Sequence, residues 1–134
     1  MMAVKPGDRL PERAYVITRS DLIRYAGASG DFNPLHWNER HSKSVGLPDV
    51  IAHGMYTMAL AIRSVTDWLG DAGSIVEYGV RFSKPVPVAD GNGTTLKVAA
   101  TVAEISANGS VILDLTAKVD GDNVLTKCRV VARL

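Results

Sequence analysis

Two side chains in one short segment can move protons, Asp31 and His36, with Asn33 between them, all within YAGASGDFNPLHWNE at residues 25–39. Gly30 and Pro34 fix the path of this segment, so a carboxylate and an imidazole close in sequence can converge on one point. One such group takes a proton while the other gives one, as adding water to a double bond or removing it requires. Histidine titrates near neutrality, and a partly buried aspartate can be tuned towards it. Asn33 can hold the loop or a water molecule without titrating. The competing reading is plain turn chemistry, because Asp and Asn bond their own backbone and proline fixes a turn.

A second segment, IAHGMYTMAL at residues 51–60, sets Gly54 where an apolar helix should begin. Helix N-termini leave N–H groups unpaired and carry the positive end of the dipole. Glycine there lets a ligand approach the backbone, and a carbonyl oxygen gaining negative charge would be stabilised by the N–H. The bland alternative is a glycine that merely starts a tightly packed helix. His53 is a second candidate for lining a substrate site, though its apolar flank favours a packing role.

Periodicity supplies the elements that must position these groups. Ala14 to Ile17 reads as a short strand, and Thr18 as the N-cap of a helix with Asp21 as its acidic partner. That helix carries Leu22, Ile23, Tyr25 and Ala26, with Gly27 and Gly30 expected to end it. From Gly30 to Val50 the period disappears into a long loop, with a helical turn expected around Asn38 to Ser44. A second helix is predicted from Gly54 to Gly70, where Met55, Met58, Ala59, Ile62, Val65, Thr66 and Leu69 share one face. No formal charge precedes Arg63, so its N-terminal half is expected to be deeply buried.

After Gly73 the period becomes that of strands. Val76, Tyr78, Val80 and Phe82 share a face, as do Leu96, Val98, Ala100 and Val102, then Val111, Leu113, Leu115, Ala117 and Val119. Val124 to Val131 supplies a further strand. Pro85 and Pro87 close the first of these, and Asn108-Gly109 and Asp120-Gly121 are hairpin-turn signals. The sum is an α+β chain in which a greasy antiparallel meander must be covered by the apolar helix. A curved sheet wrapped around a central helix is the hotdog arrangement.

With 134 residues, 46% of them hydrophobic, the chain fits a single domain, 1–134, with one core. Fifteen basic against fourteen acidic side chains exclude a sequence-wide attraction to nucleic acid or to an anionic membrane. MMAVKPGDRLPER lacks the apolar core of a leader, and the longest apolar stretch, Val50 to Leu60, is too short to span a bilayer. Cys128 is the only cysteine, so no intramolecular disulfide forms, and the reducing cytoplasm is the expected location. Cys128 reads as core packing and His41 as a solvated loop residue. His36, His41 and His53 lack a recognisable metal-ligand spacing.

Gly30, Asp31, Asn33, Pro34 and His36, followed by AHGM at residues 52–55, resemble the signature of the MaoC-like (type 2, R-specific) enoyl-thioester hydratase/dehydratase family. GDFNPLHWNE, VGLPDVIAHGM and VEYGVRFSKPVPV look particularly like the B subunit of actinobacterial (3R)-hydroxyacyl-ACP dehydratases. The likeness runs over nearly the whole chain. It implies a hotdog fold and a water-holding Asp31–His36 pair, with Asn33 ordering the loop and Gly54 N–H on the thioester carbonyl. It also implies a (3R)-hydroxyacyl product in fatty-acid metabolism, on CoA or acyl carrier protein, with no cofactor and no metal. The expected partners are a second copy of the chain or a related hotdog subunit. Which of Asp31 and His36 is acid and which is base stays open from sequence. Two rival readings are an acyl-CoA thioesterase and an acyl-binding subunit that completes another chain's site.

Overall fold

The computed structural model describes residues 3–134. Met1 and Met2, which begin the segment read above for a leader, lie outside the described residues. The chain opens with β1 (Arg13–Ile17) and α1 (Arg19–Ser29). Thr18 is the α1 N-cap as expected: its side chain accepts from Asp21 N–H, and the Asp21 carboxylate accepts from Thr18 N–H at 2.8 Å. Gly27 does not end this helix. Glycine is only a weak helix breaker in mid-helix, and termination falls to Gly30, whose φ of 76° lets its N–H bond Ala26 O.

The segment expected as a long loop is more ordered than its composition suggests. A 3₁₀ turn spans Pro34–His36 and α2 spans Glu39–Ser44, capped by the side chains of Asn33 and Asn38. His41 consequently sits half-buried in α2 rather than free in solvent. Beyond it the chain runs back as an extended strip bonded to the segment after β2 (Ile75–Phe82): Ala52 N–H donates to Val86 O and Val88 N–H to Val50 O. Arg19 ties both sides of this strip, donating from Nε to Val88 O at 3.0 Å and pairing with the Asp49 carboxylate.

Helix α3 (Gly54–Leu69) ends at Gly70, again in the left-handed region. The sheet consists of β1, β2, β3 (Thr94–Ile105), β4 (Ser110–Val119) and β5 (Asp122–Arg133), all neighbours antiparallel in the order β1-β3-β4-β5-β2. Asp120 and Gly121, both at positive φ, form the predicted two-residue turn between β4 and β5. The β3 and β4 stripes are buried as expected and join Cys128, Val130 and Ala132 in one core beneath Leu60, Ala61 and Val65 of α3.

Two further expectations fail, in α3 and β2. The buried face of α3 is Thr57, Leu60, Ala61, Ser64 and Val65, while Met55 is 59% exposed and Met58 only half-buried. The hydroxyls explain it: Thr57 Oγ1 donates to His53 O and Ser64 Oγ to Ala61 O, so both side chains enter the core with their polar atoms satisfied on the helix itself. In β2, Tyr78 and Val80 pack on the core, but Val76 and Phe82 are over half exposed. Register shifts at Ile75/Glu77 and Gly79/Arg81 interrupt the two-residue period on this edge strand.

Candidate active site

Asp31 and His36, neighbours on one loop, meet His53 from a later segment between the 3₁₀ turn and the start of α3. The short loop before the turn is tightly specified: Asp31 Oδ1 accepts from Asn33 N–H at 3.2 Å, and Asn33 Oδ1 from Leu35 N–H at 3.1 Å. Trp37 Nε1–H closes the turn on Phe32 O at 2.9 Å. Asn33 thus holds the loop, and the Asx-turn reading of this segment is correct as local chemistry. What turn chemistry alone leaves unexplained is the burial of His36 and where its ring points.

His36 Nδ1 lies 2.6 Å from Ile51 O. A carbonyl only accepts, so Nδ1 carries the proton and Nε2 is left with a free lone pair. That lone pair faces Asp31, with 3.8 Å between Nε2 and Oδ2. The gap is too long for a direct hydrogen bond and fits one bridging oxygen. Asp31 is half exposed, whereas His36 is nearly buried, so the pair joins solvent to the interior.

His53 is 2% exposed and packs face to face on His36, ring centroids 3.7 Å apart at 21°. Its Nε2–H donates to the Asp31 backbone carbonyl at 3.1 Å, and Tyr25 meets its edge at 4.7 Å. Burial holds it below the usual histidine range, against the raising effect of the Asp31 bond. His53 therefore supports both members of the pair, and its Nδ1 is buried with no partner among the described residues. Ligand atoms of Asp31, His36 and His53 all lie within 4.8 Å of one another, a closeness that their sequence spacing concealed. The stacking nevertheless makes a poor metal site: in-plane lone pairs of nearly parallel rings run alongside each other and do not converge on one ion.

Gly54 is the first residue of α3, and the helix's own ladder begins with Thr57 N–H on His53 O at 3.1 Å. The Gly54 N–H is thus outside the intrahelical pattern, at the positive end of a sixteen-residue helix. It stands where two cavities meet. An inner cavity of about 310 Å³ is lined by His36, Ile51, Thr57, Pro85, Val86, Val124 and Leu125. An outer one of about 260 Å³ is lined by Tyr25, Ser29, Asp31, His53 and Met55. Sequence reasoning missed Phe82, which borders both. Met55, read from the sequence as core first and a substrate-tunnel wall second, is exposed and lines the outer cavity.

A family model described as MaoC like domain matches residues 3–120. The chain belongs to the MaoC-like family. The 3-hydroxyacyl-thioester dehydratase X of Mycobacterium tuberculosis is 45% identical over 80 residues, 58% of this chain. The (R)-specific enoyl-CoA hydratase of Rhodospirillum rubrum is 33% identical over 92 residues, 68% of this chain. This MaoC-like chain spans 28% of the first relative's length and 64% of the second's. A solved MaoC-like dehydratase shares the fold at TM-score 0.94 and 38% identity, over 98% of this chain and 41% of its own. The five-stranded antiparallel sheet with its helix is the hotdog fold of these structures.

Proposed function

We propose that this chain is a hydro-lyase that reversibly hydrates trans-2-enoyl thioesters and dehydrates (3R)-hydroxyacyl thioesters, in fatty-acid metabolism. The observation that carries the reading is the His36–Asp31 pair: a lone-pair nitrogen and a carboxylate 3.8 Å apart, at the junction of an apolar cavity and a free helix end. In the hydration direction water lies between the two groups. His36 Nε2, whose tautomer leaves it able to accept, takes a proton from water as the oxygen bonds to C3. The electrons of the double bond move onto the thioester oxygen, where the Gly54 N–H and the helix dipole stabilise the enolate. A proton returned from the pair to C2 completes the addition, so the elements of water are added and nothing is oxidised.

The inner cavity, whose walls include the buried Val86, Val124 and Leu125, suits the acyl chain, and the outer one, lined by the exposed Ser29, Asp31 and Met55, suits the amide-bearing arm of CoA or acyl carrier protein. The mycobacterial and Rhodospirillum relatives, by their names, act on the same class of thioester. Edge strand β2 exposes Val76 and Phe82, and pairing of that edge with a second copy or a related hotdog subunit would cover it. A place in the cytoplasm fits: among the described residues no helix is long and apolar enough to cross a membrane, and Cys128 is a buried free thiol.

The test is crotonyl-CoA and a long trans-2-enoyl-CoA with purified protein, following loss of enoyl absorbance, product chirality and thiol release. Formation of the 3R product without thiol supports hydration. Thiol release without hydration would replace it by thioester hydrolysis, and activity that appears only on adding a second hotdog chain would make this one half of a pair.

A further inference from the structure

Phe82 stands where the chemistry must pass. It is the last residue of edge strand β2, the residue is 53% exposed in the single chain, and its ring lies over Gly54. A Cβ built on Gly54 would stand 3.0 Å from Phe82 Cε1, 3.2 Å from Cδ1 and 3.3 Å from Cζ. The inner and outer cavities share two lining residues, Gly54 and Phe82. His36 borders the inner cavity and Asp31 the outer one, although their reacting atoms are only 3.8 Å apart. A substrate that meets both groups must therefore lie across the line where the ring rests on the helix end. With an apolar chain directed inward and a polar arm outward, the thioester and C2 fall beneath that ring.

We propose that Phe82 is a specificity-determining residue that walls the space around C2 of the bound acyl thioester, admitting an unbranched C2 and rejecting a substituent on it. The inference rests on the hydration reading only for placing the thioester at Gly54. The physical ground is tight room: a carbon on Gly54 would already stand 3.0–3.3 Å from the ring, which would have to give by a few tenths of an ångström, so an added carbon on C2 competes with the ring for one volume. One methyl group in a tight apolar site discriminates by roughly 10–200-fold.

Two measurements on the whole chain test this in wild type, Phe82→Ala and Phe82→Leu. The first is the ratio of kcat/KM for crotonyl-CoA over 2-methylcrotonyl-CoA. The second is the ratio of affinities for butyryl-CoA over 2-methylbutyryl-CoA, saturated thioesters that cannot add water. Wild type should favour the unbranched member by about tenfold or more in both. Phe82→Ala should narrow each ratio by about fivefold or more, and Phe82→Leu, which keeps bulk for folding, should narrow it partway. Ratios in folded variants within about twofold of wild type, or no binding of either saturated thioester by wild type, would overturn the proposal. Binding ratios that narrow in a protein with no turnover of crotonyl-CoA would uphold the role of Phe82 and discard hydration.

Discussion

Gly54→Ala adds one methyl group at the mouth of both cavities. The backbone tolerates it, because Gly54 is the first helical residue of α3 and does not adopt the left-handed conformation. Alanine in a helix interior is favoured over glycine by about 1 kcal/mol, and by less at a first position. Against that gain, the new Cβ would lie 3.0 Å from the Phe82 ring, which must give by a few tenths of an ångström. A half-exposed ring at the end of an edge strand can move that far, so stability should change by no more than about 1 kcal/mol. Catalysis should respond differently. With a thioester carbonyl on the Gly54 N–H, as proposed, the methyl group and the displaced Phe82 ring would crowd it, and one oxyanion donor is worth about 10²–10³ in kcat. Urea unfolding and enoyl-CoA hydration measured on the same preparation should show near-native stability with kcat/KM lower by about a hundredfold, a loss of about 2.7 kcal/mol of transition-state stabilisation. Normal turnover in a protein destabilised by more than about 2 kcal/mol would refute the reasoning and leave Gly54 as a packing residue.

Two further outcomes follow from the supports of the site. Burial lowers the affinity of His53 for protons in the folded state, so the unfolded chain binds the proton first as pH falls below about 6.5. Stability from this residue is therefore present above that pH and lost below it; His53→Gln should lose less than wild type in urea midpoint between pH 7.5 and 5.5, and equal losses would contradict the assignment. Arg19 holds the strip that carries Ile51 O, the acceptor for His36 Nδ1–H. Arg19→Gln should cost roughly 1.5–3 kcal/mol in thermal or urea unfolding, and lower kcat more than it raises KM, since bonds to a charged group are lost.

Much of this architecture is written in short-range patterns. Strict alternation in β3 and β4 exposes the buried face directly, the Thr18–Asp21 capping box marks a helix start, and Gly70 and Asp120-Gly121 mark an end and a turn. What pattern reading misses has physical causes. The first half of α3 carries no charge before Arg63, so hydrophobicity alone cannot choose a face there, and Thr57 and Ser64 enter the core because their hydroxyls bond to the preceding turn. The bulges of β2 break the period that would have revealed Val76 and Phe82 as exposed.

At the candidate site the loop members Asp31, Asn33 and His36 are legible because Pro34 and the Asx turns bring them together locally. The His36–His53 stack and the lid that Phe82 forms over Gly54 are not. Both depend on how a turn, a helix end and a sheet edge meet in space, and no local spacing encodes that meeting.

The central claim is that Asp31 and His36 act as one unit on a single water molecule. The direct test is kcat/KM for crotonyl-CoA in wild type, Asp31→Asn, His36→Gln and the double variant, with folding checked by circular dichroism. General acid–base groups contribute about 10²–10⁴ each, and groups acting as a unit are strongly non-additive. Each single variant should fall by at least about a hundredfold, and the double should be scarcely worse than the weaker single. Single variants that retain wild-type rates, or losses that multiply in the double, would contradict it.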